Sequence, residues 1–522
     1  MNLKINLKTL NQLSVIYISV PLLIFLITWL KPYIAIISSV LFVYAIYIGY
    51  FKNNEVNLKS LLNSKSIFIT TLLISFLWCY FAGIGGFWYQ SSDYNWRNAI
   101  FRDLINYSWP IYYKTIDVAM VYYMGFWLPS ALIAKICSFV FSHMSAFPKH
   151  FSFFIGNEIL FVYSALGVFL TFMNLFFALK VKKIGKVLLA ICIFIFFSGM
   201  DVIGVLWPIF YEDTFSFSHY HLEWWSRFVG QYSSNTTVLF WVFNQGIPAW
   251  LITLMFYNNR KKVENFGFLA ILCFFCAPLP FVGLSIFLIM YFIKDFILKL
   301  KSGKVSNYLK KVFSFGNIVS IVFITPIVFL YLTSNASMSS DANSFIHTNA
   351  LLHGRRGSLP FSYFFILTLY FVLLEVFIYL VPIYKQYKKN IMYYIASLFL
   401  ILWPFIINRR QTEFCMRSSI PVLVILCLLV TKFLFRKYNF KRNKIRYLFL
   451  CLCLMIGSVT PTFEFARGIV VVSYQKTVFV SADDLKSLED HLYYDAFGRV
   501  TNGNFVAEFP KEKTFFKYLA RE

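Results

Sequence analysis

Long apolar stretches recur along almost the whole chain, and they limit it to a narrow set of folds. Runs near the roughly 17–25 residues that a bilayer-crossing helix needs lie at Leu13–Leu30, Tyr33–Phe51, Ile67–Gly83, Ile159–Leu179, Val187–Phe210, Val238–Tyr257, Phe313–Leu332, Phe361–Tyr384, Ile391–Ile407, Ser419–Phe435 and Tyr447–Phe463. A further run, Phe266–Ile293, is interrupted by Ala277-Pro278-Leu279-Pro280. Two prolines cannot continue a helix, so it reads as two short spans joined at a tight turn. Such runs leave too little polar surface for water: of 522 residues, 59% are hydrophobic and only 14% charged, against roughly a quarter charged in a soluble domain. Disorder, fibrous structure and a water-soluble enzyme are excluded. Inside lipid every backbone group must pair within the chain, and the pattern predicts an all-α polytopic membrane protein.

Charge then orients the spans. Lys and Arg number 48 against 23 Asp and Glu, a net charge of +25. The bases gather in short clusters between apolar runs, such as Lys180/Lys182/Lys183/Lys186, Arg260/Lys261/Lys262 and Lys385/Lys388/Lys389. That is the positive-inside arrangement of a membrane protein, not a nucleic-acid footprint. Placing every cluster in the cytoplasm demands an odd number of crossings across Val118–Lys180. Val118–Phe141, broken by Pro129 and carrying Lys135, is therefore expected to be re-entrant or interfacial. The result is about 13 transmembrane helices, N-terminus inside and C-terminus outside, as in a bacterial-type inner (plasma) membrane. The nine cysteines lie almost entirely within apolar runs and read as small buried hydrophobes. Leu13–Leu30 lacks a following cleavage site and reads as the first arm of a helical hairpin, not a signal peptide.

The transmembrane domain then covers 1–463, with outer loops at 84–117, 211–237, 333–360 and 408–418. A small extracytoplasmic region covers 464–522. Its alternating Val470, Val472, Tyr474, Val478 and Val480 suit a strand-plus-helix cap. No phosphate loop for ATP is present.

The first outer loop concentrates the polar chemistry: Asp93, Trp96, Arg97, Arg102 and Asp103 lie within a few residues of one another in a charge-poor chain. Residues 96–104 can form a short helix on the membrane surface. A carboxylate at headgroup depth, Asp93, can take a proton from an acceptor hydroxyl as general base. The plain alternative is an aromatic interfacial belt with Asp93–Arg97 and Arg102–Asp103 as surface ion pairs.

An Asp in the first long outer loop of a hydrophobic multispan chain, followed by juxtamembrane segments, resembles the GT-C superfamily of membrane glycosyltransferases that use polyprenyl-phosphate-linked sugars. Tyr122-Tyr123-Met124-Gly125-Phe126-Trp127-Leu128-Pro129-Ser130-Ala131-Leu132-Ile133-Ala134-Lys135 adds to the likeness. So does Thr412-Glu413-Phe414-Cys415-Met416-Arg417-Ser418-Ser419-Ile420-Pro421, similar to an Asp-Phe-x-x-Arg-x-x-x-Pro pattern with Glu413 in place of the Asp. The resemblance implies Asp93 as catalytic base or acceptor-binding residue, with Asp103 the second candidate; Trp96, Arg97 and Glu413 are candidate substrate contacts from their place in these stretches. It covers the general layout and these stretches, without fixing a subfamily.

Three arginines in a short outer turn, Arg409, Arg410 and Arg417, run against the positive-inside trend. Guanidinium forks bind phosphate through paired hydrogen bonds, so these three, with Arg355 and Arg356 after His353, are candidates for the donor phosphate. Contact with anionic headgroups or with Glu413 is the simpler role. His219, His221 and Glu223 alternate and would share one strand face, where they could bind a metal. For His221 and Glu223, contact with sugar or lipid is favoured over that. Asp201, in the outer half of its span, would be a second acid, a proton-coupling group or a packing contact.

These readings lead to a membrane glycosyltransferase that moves a hexosyl or pentosyl group from a polyprenyl-phosphate donor to a cell-envelope glycan or lipid acceptor, with inversion. No cofactor and no metal ligand set is assigned; a divalent cation beside the phosphate is left open. Partners are the lipid-linked sugar, the acceptor and membrane lipids. An O-antigen or capsule polymerase or ligase is the close rival, and a polysaccharide flippase or other transporter the distant one.

Overall fold

The computed structural model describes residues 6–52, 64–141, 151–206, 221–226, 229–337, 353–354, 357–358, 361–406, 411–436, 443–475, 486–495 and 500–521. Helices dominate, as the apolar runs require. The first members are α1 (Leu7–Trp29), α2 (Pro32–Ile46), α3 (Lys65–Phe81) and α4 (Tyr94–Asn106). A small hairpin follows, β1 (Tyr112–Tyr113) and β2 (Val118–Met120), then α5 (Leu128–Phe141), α6 (Phe151–Leu179), α7 (Ile184–Phe196) and α8 (Asp201–Val205). The second half holds α9 (Asn235–Asn259), α10 (Phe266–Cys276), α11 (Pro278–Lys301), α12 (Val305–Val312) and α13 (Phe315–Thr333). It continues through α14 (Phe364–Tyr387), α15 (Ile391–Leu402), α16 (Gln411–Leu434), α17 (Lys444–Gly457) and α18 (Val459–Gln475) to a last strand, β3 (Val506–Glu508).

Ten helical stretches among the described residues are long and apolar enough to cross a membrane. Shorter apolar helices at Lys65–Phe81, Val263–Cys276 and Ile391–Phe405 coincide with the remaining expected spans, and Met124–Val140 with the expected re-entrant segment. The molecule is thus an all-α polytopic membrane protein. Large exposed apolar side chains such as Ile36, Val40, Leu73 and Val381 face the surroundings, as lipid-facing residues do.

α9 is the central post. It packs against α1, α6, α7, α10, α16 and α18, and nearly every residue along it is buried. Its polar first turn is used locally. Asn235 donates to the carbonyl of Phe194 at 2.9 Å and Thr236 to that of Ile195 at 2.7 Å, satisfying carbonyls left open where α7 stops. That break corrects the expectation for Val187–Phe210. The helix ends at Phe196, and Asp201 opens a separate short helix after an extended stretch.

One further expectation is refined and one shifts. The apolar run 266–293 does divide at Ala277, with α10 ending at Cys276 and α11 starting at Pro278, but the second span is not short. Pro278 sits in the first turn of α11, where its missing N–H costs nothing, and α11 runs its full 24 residues. The alternation at Val470, Val472 and Tyr474 is not a strand, because α18 continues to Gln475. The strand comes later: β3 pairs antiparallel with β2, Ala119 opposite Ala507, and β2 with β1, Tyr112 opposite Ala119. The tail thus completes a sheet begun in the first long loop. We call this the loop end of the bundle and the opposite one, with Lys180, Arg260 and Lys389, the basic end.

Candidate functional site

The loop after α3 turns through glycines. Gly83 has φ 73°, and a Cβ there would lie 2.3 Å from the carbonyl oxygen of Tyr89, so only glycine fits. Gln90 donates to the carbonyl of Gly83 at 2.8 Å, and the Tyr94 hydroxyl to that of Ala82 at 2.8 Å. The start of α4 is therefore fixed to the end of α3. Asp93 stands at that start with its side chain 46% exposed, and meets Arg97 one turn on at 3.0 Å. The Arg97 guanidinium is buried over the rings of Tyr94 and Phe243, and its Nη1 has no hydrogen-bond partner.

Past β2, the backbone of Tyr122 is held in both senses by Tyr331 of α13: its N–H donates to the Tyr331 hydroxyl at 3.2 Å, and that hydroxyl donates to its carbonyl at 3.2 Å. The Tyr122 hydroxyl donates to that of Tyr123. Tyr123 accepts in turn from Nη1 of Arg417 at 2.6 Å. Arg417 lies 3.6 Å from Glu413, one turn earlier on α16, and its buried Nε has no partner. Arg97 and Arg417 both act electrostatically on the Tyr122 phenol. The first loop and α16, more than 300 residues apart in the chain, therefore converge on one tyrosine pair.

A second group adjoins. Glu464 of α18 accepts from the Trp241 indole at 3.0 Å and from Arg467 at 3.0 Å, and lies 3.5 Å from His221 Nδ1. Burial, the largest influence, pushes the His221 imidazole below its usual range. Arg467 adds to that, while Glu464 and Asp93 oppose it. Asp93 is thus within electrostatic reach of this group too. An exposed carboxylate flanked by buried guanidiniums, phenols and an imidazole suits proton transfer from a hydroxyl beside a bound anion.

The other expected residues separate. Trp96 stacks on Phe505 and meets His491 edge-on, so it packs against the tail. Glu223 points away from His221 and accepts from Gln231, Ser233 and the N–H of Ser234. Among the described residues no group of three or more acidic, His or Cys side chains is arranged for a metal. His219, Arg355, Arg356, Arg409 and Arg410 lie outside the described residues. Glu464 and Arg467 were placed by their sequence in the tail; an acid and a base three apart at the end of an apolar run are the signal that could have marked them. A cavity of about 370 Å³ at the basic end, lined by Arg260, Lys261, Lys294, Asp295 and Lys389, shares no residue with this group.

Asp103 is fully buried and accepts from the Tyr113 hydroxyl at 2.7 Å, from Ser487 at 3.0 Å and from the N–H of Leu488 at 2.9 Å. It fastens the tail to the first loop. Burial raises it to about 6 against those opposing hydrogen bonds. Its folded value exceeds the unfolded one of about 4, so its contribution to tail docking is full below about pH 4 and is lost as pH rises through about 6. The shift corresponds to about 2–3 kcal/mol. Hydrogen exchange of 486–495, corrected for the intrinsic pH effect, should show protection falling over that window in the wild type and a flatter profile in Asp103→Asn.

Comparison with protein-family models, with curated proteins and with solved structures finds no match.

Proposed function

We propose that this chain is an integral-membrane glycosyltransferase that moves a sugar from a polyprenyl-phosphate donor to a glycan or lipid acceptor on the non-cytoplasmic face. The observation that carries the reading is the meeting of Asp93–Arg97 with Arg417 at Tyr122 and Tyr123. Asp93 would accept the proton of the acceptor hydroxyl as its oxygen bonds to the anomeric carbon. The bond from that carbon to the phosphate oxygen breaks with inversion. The negative charge gathering on the phosphate would fall to Arg417 and Arg97, whose unpartnered N–H groups are already desolvated and need no rearrangement. Arg409, Arg410, Arg355 and Arg356 are further candidates for that phosphate. Polymerisation or ligation of lipid-linked glycans would use the same chemistry.

A second reading, transport, is favoured by one specific feature: buried carboxylates Asp201 and Glu375 within spans, of the kind that carry ions or protons across membranes. The test is a membrane preparation supplied with radiolabelled polyprenyl-phosphate sugar and candidate acceptors. Label entering a glycan in the wild type and lost in Asp93→Asn, at equal expression, supports transfer. Label crossing a liposome bilayer with no new bond formed replaces that reading with transport.

A further inference from the structure

Apart from the Asp93 group, carboxylates meet where α7 gives way to α8. Asp201 is saturated: one oxygen accepts from Ser198 at 2.9 Å and Thr460 at 2.9 Å, the other from the Trp225 indole at 3.2 Å. Glu223, one turn of chain from Trp225, is likewise saturated, by Gln231 at 2.7 Å, Ser233 at 2.6 Å and the N–H of Ser234 at 2.9 Å. Glu375 is different. It sits on a wide helical turn, Leu373–Phe377, within α14, a local widening common at functional sites. It is 2% exposed, and neither of its oxygens accepts a hydrogen bond. Its carboxyl lies directly on Gly199, where an added Cβ would come within 1.6 Å of Oε2, and within hydrogen-bond reach of Asp201.

Two carboxylate oxygens are both acceptors and can pair only through a proton. Asp201 and Glu223 each hold three donors and are able to bear charge. Glu375 holds none of its own: the Trp225 indole within its reach is already given to Asp201 at 3.2 Å, and a bare buried carboxylate is too costly to persist. The strongest influences on all three are burial, their own hydrogen bonds and one another, with no Lys or Arg among them. Burial and then the charge of Asp201 push the Glu223 carboxyl up. The further titratable groups that interact with the pair are Tyr379, with both acids, and Tyr232, with Glu375.

We propose that Asp201 and Glu375 form a proton-binding site holding one shared proton, taken from and returned to water at the loop end. Loading places the proton between the two carboxyls; unloading leaves two adjacent anions, on α8 and α14. Two of the three partners of Asp201 lead to the candidate site. Trp225 lies in the short turn Leu222–Ser226 that begins beside His221, and Thr460 lies one turn before Glu464 on α18. Occupancy would therefore be felt at the His221–Glu464–Arg467 wall. The inference does not depend on sugar transfer.

The experiment is infrared difference spectroscopy of the full chain in lipid nanodiscs between acid and alkaline pH, in H₂O and D₂O. The wild type should show the carbonyl stretch of a protonated carboxyl that bleaches as pH rises and shifts in D₂O. Glu375→Gln, whose amide can donate to Asp201 as the protonated acid does, should lose that band and keep its thermal stability across the same pH range. Glu223→Gln should keep the band. Should Glu375→Gln fail to fold, Asp201→Asn, which donates in the opposite direction, should lose the band too. A band unchanged in both Glu375→Gln and Asp201→Asn overturns the proposal. So does a wild-type band that disappears on adding sodium at fixed pH, which would make the site one for a metal cation.

Discussion

Asp93→Asn should lower sugar transfer by about 10²–10⁴-fold, the usual contribution of a positioned general base, while leaving folding intact. The asparagine oxygen still accepts from Arg97, so the buried guanidinium keeps its hydrogen bond while only the half-exposed member of the pair loses its charge. The loss should therefore fall on the chemical step. Initial rates with radiolabelled donor should show reduced kcat at nearly unchanged KM for the donor, because the phosphate contacts are untouched. A melting temperature equal to wild type accompanies that outcome. Full activity in Asp93→Asn removes Asp93 as the base, and a matching fall in stability and activity would make it only a start for α4.

What could be read in advance follows from which forces act locally. The spans were legible because lipid requires continuous apolar runs, and most expected runs coincide with one helix, while Val187–Phe210 is broken after Phe196 and Tyr447–Phe463 at Ser458. Side-chain convergence was legible only where spacing sets it. Asp93 meets Arg97, and Glu413 meets Arg417, because four residues make about one helical turn. The link between those pairs through Tyr122 and Tyr123 is tertiary, set by Tyr331 and the packing of α13, and no spacing encodes it. Pro278 was legible as the divide between α10 and α11, because a proline that cannot continue one helix can open the next. The helix break before Asp201 was not legible because apolarity continues through Phe197, where the open carbonyls are satisfied from another helix by Asn235 and Thr236. Glu375 is visible in the sequence as one acid in an apolar run, while its meeting with Asp201 and Gly199 is a property of the fold.

Arg417 carries the second large effect. Its Nη1 is held by Tyr123 and its Nη2 faces Glu413, so the plane of the guanidinium is set and the buried Nε is left for a ligand. Removing one preorganised donor to developing charge costs about 10²–10³-fold in rate, and Arg417→Gln should lose at least that. Arg417→Lys should not rescue it. An ammonium cannot bond Tyr123 and a phosphate oxygen in one plane, and it is more strongly hydrated. Tyr123→Phe supplies the internal scale. It keeps the guanidinium but frees its orientation, removing a hydrogen bond worth about 1 kcal/mol, or about 5-fold. The ordering wild type, Tyr123→Phe, then Arg417→Lys and Arg417→Gln together, is the signature of a guanidinium that acts on charge. Should Arg417→Gln fall no further than Tyr123→Phe, the arginine would serve only to hold the tyrosine pair. The phosphate would then have to be met by other groups, with Arg97 first among those whose geometry is known.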